Sequence, residues 1–266
     1  MLSANRYGFV RGCSLFAAAL AAAGVGAAAG CGGSKTRPEV SGPAASGPTK
    51  PSCVAGSFRR YGSDRLAYAA IVRSHAEAAH RPGGAAFARF GRLNVNGVPV
   101  VFSIRGARVD RRCKPSWYLI QLPARPNGLT GWVRASEVDV ATVTARLEID
   151  LSARRLTLFR AGRPVLSATV AVGSDATPTP TGRFYVNQRL IPADPNGPFG
   201  PGAVGISAFS NVLTGWTQGG PIAVHGTNEP WSVGKAVSNG CIRLPNATLR
   251  RVFAQAVAGT PVVIHA

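Results

Sequence analysis

The sequence predicts a mostly β protein: a small β domain followed by a larger β domain with one or two short helices. Three observations carry this. Apolar residues alternate with polar ones from Leu147 to Gly173, the period of strands. Gly (32) and Pro (20) are frequent among the 266 residues, and they punctuate short elements. Charged residues make up only 15% of the chain, fewer than the solvated faces of a helical bundle require.

Elements follow in chain order. Arg6 and Arg11 precede an apolar, alanine-rich run from Leu15 to Ala29. It is too short to span a bilayer comfortably and matches a secretory leader. The run ends in AAGC at Cys31, which resembles a bacterial lipobox. That resemblance implies cleavage before Cys31 and a lipid on its thiol, giving an extracytoplasmic protein anchored to the membrane and facing the cell wall. A soluble secreted protein cut near the same run is the alternative. Residues 1–31 are thus read as signal peptide and lipobox, and 32–52, rich in Gly, Ser and Pro, as a tether that cannot bury a core.

Residues 53–142 hold short apolar runs, VPVVFSI at 98–104 and WYLIQL at 117–122, separated by turn signals, as a small β domain requires. RPNGLTGWVRASEV, residues 125–138, resembles the end of a bacterial Src-homology-3-like barrel, in which a Gly-Trp pair precedes the final strand. RLAYAAIVRSHAEAAH, residues 65–80, reads as helical, with His75 and His80 as surface or packing residues.

Residues 143–266 form the second domain. Leu147, Ile149 and Leu151, then Leu156 and Leu158, then Val170 and Val172 mark consecutive antiparallel strands broken by turns. TPTPTGRFYV supplies a turn and another strand. Residues 187–205, crowded with Gly and Pro, are expected to form an exposed loop long enough to cover a cleft. PIAVH ends a strand at His225, and CIRL starts one at Cys241. A helix is expected after a capping Asn246, with Leu249, Val252 and Phe253 on one face. TPVVIHA closes the domain as a strand, and its His265 is read as structural.

The cysteines narrow the function. With Cys13 in the leader and Cys31 assigned to lipid, Cys53, Cys113 and Cys241 remain, and three thiols cannot all pair. Cys53 and Cys113 share the N-terminal half and are expected to form a disulfide; a bridge from Cys241 to either is the alternative. An unpaired thiol outside the cytoplasm is a liability unless it has a task.

HGTNEPWSVGKAVSNGCIRL, running from His225 to Leu244, sets a histidine sixteen positions (241 − 225) before that cysteine. A thiol at its ordinary pKa of about 8.5 is only slightly ionised at neutral pH and needs a base to become a nucleophile. His225, at a strand end in the same motif, is the natural base and later the proton donor to the leaving group. Gly240 lets the chain turn tightly and bring amide N–H groups toward an incoming carbonyl. Loss of one such donor typically slows acyl transfer about 100- to 1000-fold.

This segment resembles the signature of the L,D-transpeptidase catalytic domain (YkuD-type), a His-Gly-Thr block followed by a Ser-x-Gly-Cys block. The upstream strands and the TPTPTG turn are similar as well, so the resemblance covers Arg146 to the C-terminus. It implies a β-sandwich catalytic domain in which Cys241 is acylated and His225 is the base. It further implies that the Gly226 carbonyl orients the imidazole, and that Ser238, Asn239 and Gly240 frame the oxyanion. Arg243 either holds a substrate carboxylate or ties the loop. Asn239 stands where the family commonly has histidine, so no second imidazole is expected to carry protons. The implied reaction joins third-position diaminopimelate residues of peptidoglycan stems through a Cys thioester, without cofactor or metal. Family members are typically inhibited by carbapenems.

Other classes are weaker. The net charge of +19 would draw the protein to any anionic polymer or surface. The arginines are scattered, however, with no basic helix or nucleic-acid motif, so no nucleic-acid partner is expected. Papain-like and NlpC/P60-type peptidases place Cys before His in the chain, the reverse of the order here. Zinc would need three or four ligands near the pair. Hydrolysis of the thioester, and a wall-binding lipoprotein without turnover, are the remaining alternatives. The expected partners are stem peptides and, through the lipid, the membrane, with the protein a monomer.

Overall fold

The computed structural model describes Leu2–Ser3 and residues 53–266. The rest of the leader, the lipobox cysteine Cys31 and the tether lie outside the described residues.

The first sheet comprises β2 (Phe58–Arg60), β3 (Ala67–Val72), β4 (His75–Ala79), β5 (Ala86–Gly91), β6 (Val101–Val109), β7 (Pro115–Gln121), β8 (Thr130–Arg134) and β9 (Val138–Val143). It is antiparallel, in the order β5-β4-β8-β7-β6-β3-β9, with β2 also on β6. Two register shifts in the β6–β7 pair bend the sheet around a core that includes Phe102, Ile120, Leu122 and Val133. A disulfide joins Cys53 to Cys113.

Residues 65–80 are not helical. They form β3 and β4, joined at Arg73–Ser74. Alanine favours helix in isolation, but here Ala67, Ala69, Ala76 and Ala78 alternate into the interior as strand residues, and tertiary packing overrides propensity. His75 and His80 are exposed, and His80 stacks on Phe87.

The second sheet contains β10 (Ala145–Asp150), β11 (Arg155–Arg160), β12 (Arg163–Thr169), β14 (Gly182–Pro192), β15 (Ala203–Phe209), β16 (Pro221–His225), β18 (Ile242–Arg243) and β19 (Pro261–His265). Their order is β12-β11-β10-β19-β14-β15-β16-β18, and a short β1 (Leu2–Ser3) pairs with the end of β14. β13 (Val172–Gly173) and β17 (Ala236–Ser238) make a separate parallel pair. The α-helix, α1 (Asn246–Gln255), buries Leu249 and Val252 against the sheet. Asn246 does not cap α1; its Oδ1 accepts the Thr227 N–H at 2.8 Å, tying the helix start to the His-Gly-Thr segment. His265 is exposed, with Nε2 3.8 Å from Asp150.

The expected loop over 187–205 is shorter. β14 runs on to Pro192 and β15 begins at Ala203, because Gln188, Arg189 and Leu190 find ladder partners in Gly205, Val204 and Ala203. Only the stretch around NGPFGPG remains a connection.

The two sheets share packing. Ala67, Ala69, Val101 and Val143 of the first belong to the same apolar cluster as Leu147, Phe184 and Val262 of the second. The Asn127 side-chain amide imitates a strand partner, donating to the Phe209 carbonyl at 2.8 Å and accepting its N–H at 2.9 Å. Arg125 donates to the Ser210 and Gly219 carbonyls.

Candidate active site

Strand β16 sorts its residues by period two. Ile222 and Val224 go into the core, so Ala223 and His225 face the other way. β18 runs parallel to it, with Val224 opposite Ile242 and His225 opposite Arg243. Ile242 and Leu244 are core residues, and Cys241 and Arg243 therefore lie on the His225 face. Cys241 is one strand over and two residues back from His225, a diagonal of about 8 Å between α-carbons.

His225 is buried, and its Nδ1–H donates to the Gly226 carbonyl at 2.5 Å. A carbonyl only accepts, so this bond fixes the tautomer and leaves Nε2 as the basic nitrogen. The Phe199 ring stands edge-on to the imidazole at 5.0 Å. Burial lowers the His225 pKa to about 4; the Gly226 bond opposes this and the Arg243 cation adds to it. The imidazole is neutral at physiological pH.

Cys241 is a free thiol, half-buried. Burial pushes its pKa up, while the Ala223 backbone and the Arg243 charge pull it down. The resting groups are thus a neutral thiol and a neutral imidazole on one face of the sheet.

The turn before Cys241 is closed by Ser238, whose hydroxyl donates to the Cys241 carbonyl at 2.6 Å and accepts the Gly240 N–H at 3.1 Å. The Gly240 N–H is therefore engaged inside the turn, where the sequence suggested a donor to an incoming carbonyl. Gly240 has φ +103°, and a Cβ there would lie 3.0 Å from Ile222 Cδ1. Asn239 is exposed at the tip of this turn. Arg243 pairs with Glu229 at 2.5 Å, which ties the loop that follows His225 to β18. Among the described residues no three His, Cys, Asp or Glu side chains converge as a metal set.

Residues 144–264 match the L,D-transpeptidase catalytic domain (YkuD) family. The putative L,D-transpeptidase YkuD of Bacillus subtilis (strain 168) is 36% identical over 127 residues, 48% of this chain and 70% of that protein. The chain belongs to the YkuD family of L,D-transpeptidase catalytic-domain proteins. A Bacillus licheniformis relative, also a putative L,D-transpeptidase YkuD, is 37% identical over 123 residues, covering 46% of this chain and 67% of its own. The catalytic domain of the Enterococcus faecium L,D-transpeptidase superposes with a TM-score of 0.35 at 21% identity, over 46% of this chain and 96% of that one.

Sequence reasoning missed several residues that build this YkuD-family site. Thr177 and Thr179, read only as part of a turn, donate to the Ser238 and Gly240 carbonyls, each at 2.9 Å. Thr179 also accepts the Gly173 N–H at 2.8 Å. Glu229 sits inside the quoted motif, but nothing in its spacing says that it meets Arg243. Phe199 comes from a segment whose approach to His225 only the fold reveals.

Proposed function

We propose that this protein is a peptidoglycan L,D-transpeptidase that links third-position diaminopimelate residues of neighbouring stems. The observation that carries the reading is one pair: an unpaired thiol at Cys241 and, on the same sheet face, an imidazole whose Nδ1 is held by Gly226. Nε2 of His225 takes the thiol proton as Sγ attacks the carbonyl of the third residue of a tetrapeptide stem. With the Gly240 N–H engaged by Ser238, the Cys241 N–H is the amide beside the developing oxyanion. Collapse of the tetrahedral intermediate releases D-alanine, whose nitrogen takes the proton from the imidazolium, and leaves a thioester on Cys241. The side-chain amine of a second stem gives a proton to Nε2, attacks the thioester, and the thiol departs reprotonated. The scheme uses no metal or cofactor.

The Cys53–Cys113 disulfide supports an exported protein within this reading, since such bridges persist in oxidising compartments. Within the proposal, Cys31 carries a lipid, residues 32–52 are the tether, and the first sheet is a Src-homology-3-like module that holds a monomeric enzyme against the wall. Purified protein incubated with a disaccharide tetrapeptide is expected to give crosslinked dimers by mass spectrometry, and Cys241→Ala none. Disaccharide tripeptide with no dimer would make the enzyme a hydrolase, and dimers from the alanine variant would remove Cys241 from the reaction.

A further inference from the structure

We infer that the cavity between the two sheets binds the amino sugar that carries the donor stem, so that the thiol and the cavity hold two ends of one substrate. The inference rests on the peptidoglycan reading above.

The cavity has a volume of about 460 Å³, within the usual range for small-ligand sites. It opens between the segment joining β5 to β6 and the β14–β16 part of the second sheet. Its position relative to Cys241 follows from register. Gln188, a cavity residue, pairs with Gly205; Gly205 pairs with Ala223; and Cys241 stands beside Ala223 on the next strand. Residues in one cross-strand row share a face, so Gln188 and the thiol are three strand spacings apart on the same face, about 14 Å. The floor between them is low. Gly205 has no side chain, and a Cβ there would come within 2.7 Å of Gln188 Cγ. Ala223 contributes only a methyl.

The lining selects the ligand. Asn94 and Asn96 both donate to Gln188 Oε1, at 2.8 and 2.9 Å, and Gln218 donates to Asn96. These bonds make a wall of primary amides that crosses from one sheet to the other. Asn187 lines the same cavity, and its Oδ1 is buried without a hydrogen-bond partner, so the amide can turn to a ligand with no bond to lose. Phe90, Leu93 and Val95 supply an apolar side. Among the described residues no carboxylate lines the cavity, and the one cation there, Arg89, is paired with Glu77 at 2.8 Å. A second stem peptide, bearing carboxylates and an amine, would find no counter-charge there. A neutral ring with hydroxyl and acetamido groups on its edge and C–H groups on its face meets both walls. The reach agrees: three stem residues from the acylated carbonyl extend about 10 Å, which brings the sugar to the cavity edge.

The experiment compares acylation of the full chain by a free tetrapeptide and by the same tetrapeptide on its disaccharide, followed by intact mass. The disaccharide donor is expected to show a KM lower by about tenfold, the scale of one or two hydrogen bonds. In Asn187→Leu and in Gln218→Ala the advantage shrinks toward one, while free tetrapeptide and carbapenem acylate at the parent rate. Equal KM for the two donors in the parent protein, or an advantage that survives both substitutions, overturns the sugar site and leaves the transpeptidase reading standing. Acylation by neither donor overturns both.

Discussion

The Thr179 hydroxyl bridges two backbones, donating to the Gly240 carbonyl at 2.9 Å while accepting the Gly173 N–H at 2.8 Å. It thereby fixes the turn that presents Cys241. Thr179→Val keeps the shape and leaves both backbone groups unpaired in a buried place, a loss of about 1–3 kcal/mol in stability. We expect acylation by a carbapenem to slow by about tenfold or more, since a misplaced nucleophile loses near-attack geometry. Thr179→Ser should restore most of the rate. Stopped-flow acylation and urea unfolding measure the two effects separately.

His225 makes stability depend on pH in a defined window while leaving the rate there unchanged. Its ordinary pKa is 6.5, and burial takes it to about 4 in the folded protein. Between those values the unfolded chain binds a proton that the folded one does not, so stability rises with pH there. The contribution is complete above pH 6.5 and is lost as pH falls from 6.5 toward 4, about 3 kcal/mol in all. Urea midpoints across that window test it. The base stays neutral over the same range, so acylation should be flat from pH 7 to pH 5, where an ordinary imidazole would halve the rate near 6.5.

Arg243 acts on both members of the pair, lowering the pKa of His225 and of Cys241. Arg243→Met removes that charge. The acid limb of the pH–rate profile should move upward, and thiolate formation, read by ultraviolet absorbance, should move to higher pH. If neither limb shifts, Arg243 only ties the loop through Glu229.

Gly240→Ala tests the turn itself. The backbone there has φ +103°, and the added methyl would press on Ile222 Cδ1 at 3.0 Å. We expect a destabilisation of about 1–3 kcal/mol and a marked loss of acylation. Thermal unfolding and adduct formation measured on one sample would show both.

Much of this molecule is legible in its sequence. The alternation at Leu147, Ile149, Leu156 and Leu158 reports strands directly, because one face of each is core. The motif from His225 to Leu244 points to the candidate pair through an unpaired thiol, an imidazole at a strand end and a resemblance to the L,D-transpeptidase signature. Residues 65–80 mislead because alanine carries a helical preference, while the requirement for small side chains between packed sheets comes from residues distant in sequence. Residues 187–192 mislead in the opposite way, since Gly and Pro downstream make a strand look like a loop. Thr179 and Glu229 could not be singled out, because their partners are brought to them by the fold, and Asn187 could not because only the fold leaves its Oδ1 buried without one.

In the proposed reaction Cys241 is the nucleophile and His225 its base. The most direct measurement is carbapenem acylation, with the adduct mapped by peptide mass spectrometry in the parent protein and in His225→Ala. One adduct is expected, on the peptide containing Cys241, forming about 100-fold or more slowly in the histidine variant. An adduct on any other residue would remove Cys241 as the nucleophile, and an undiminished rate without the imidazole would remove His225 as its base.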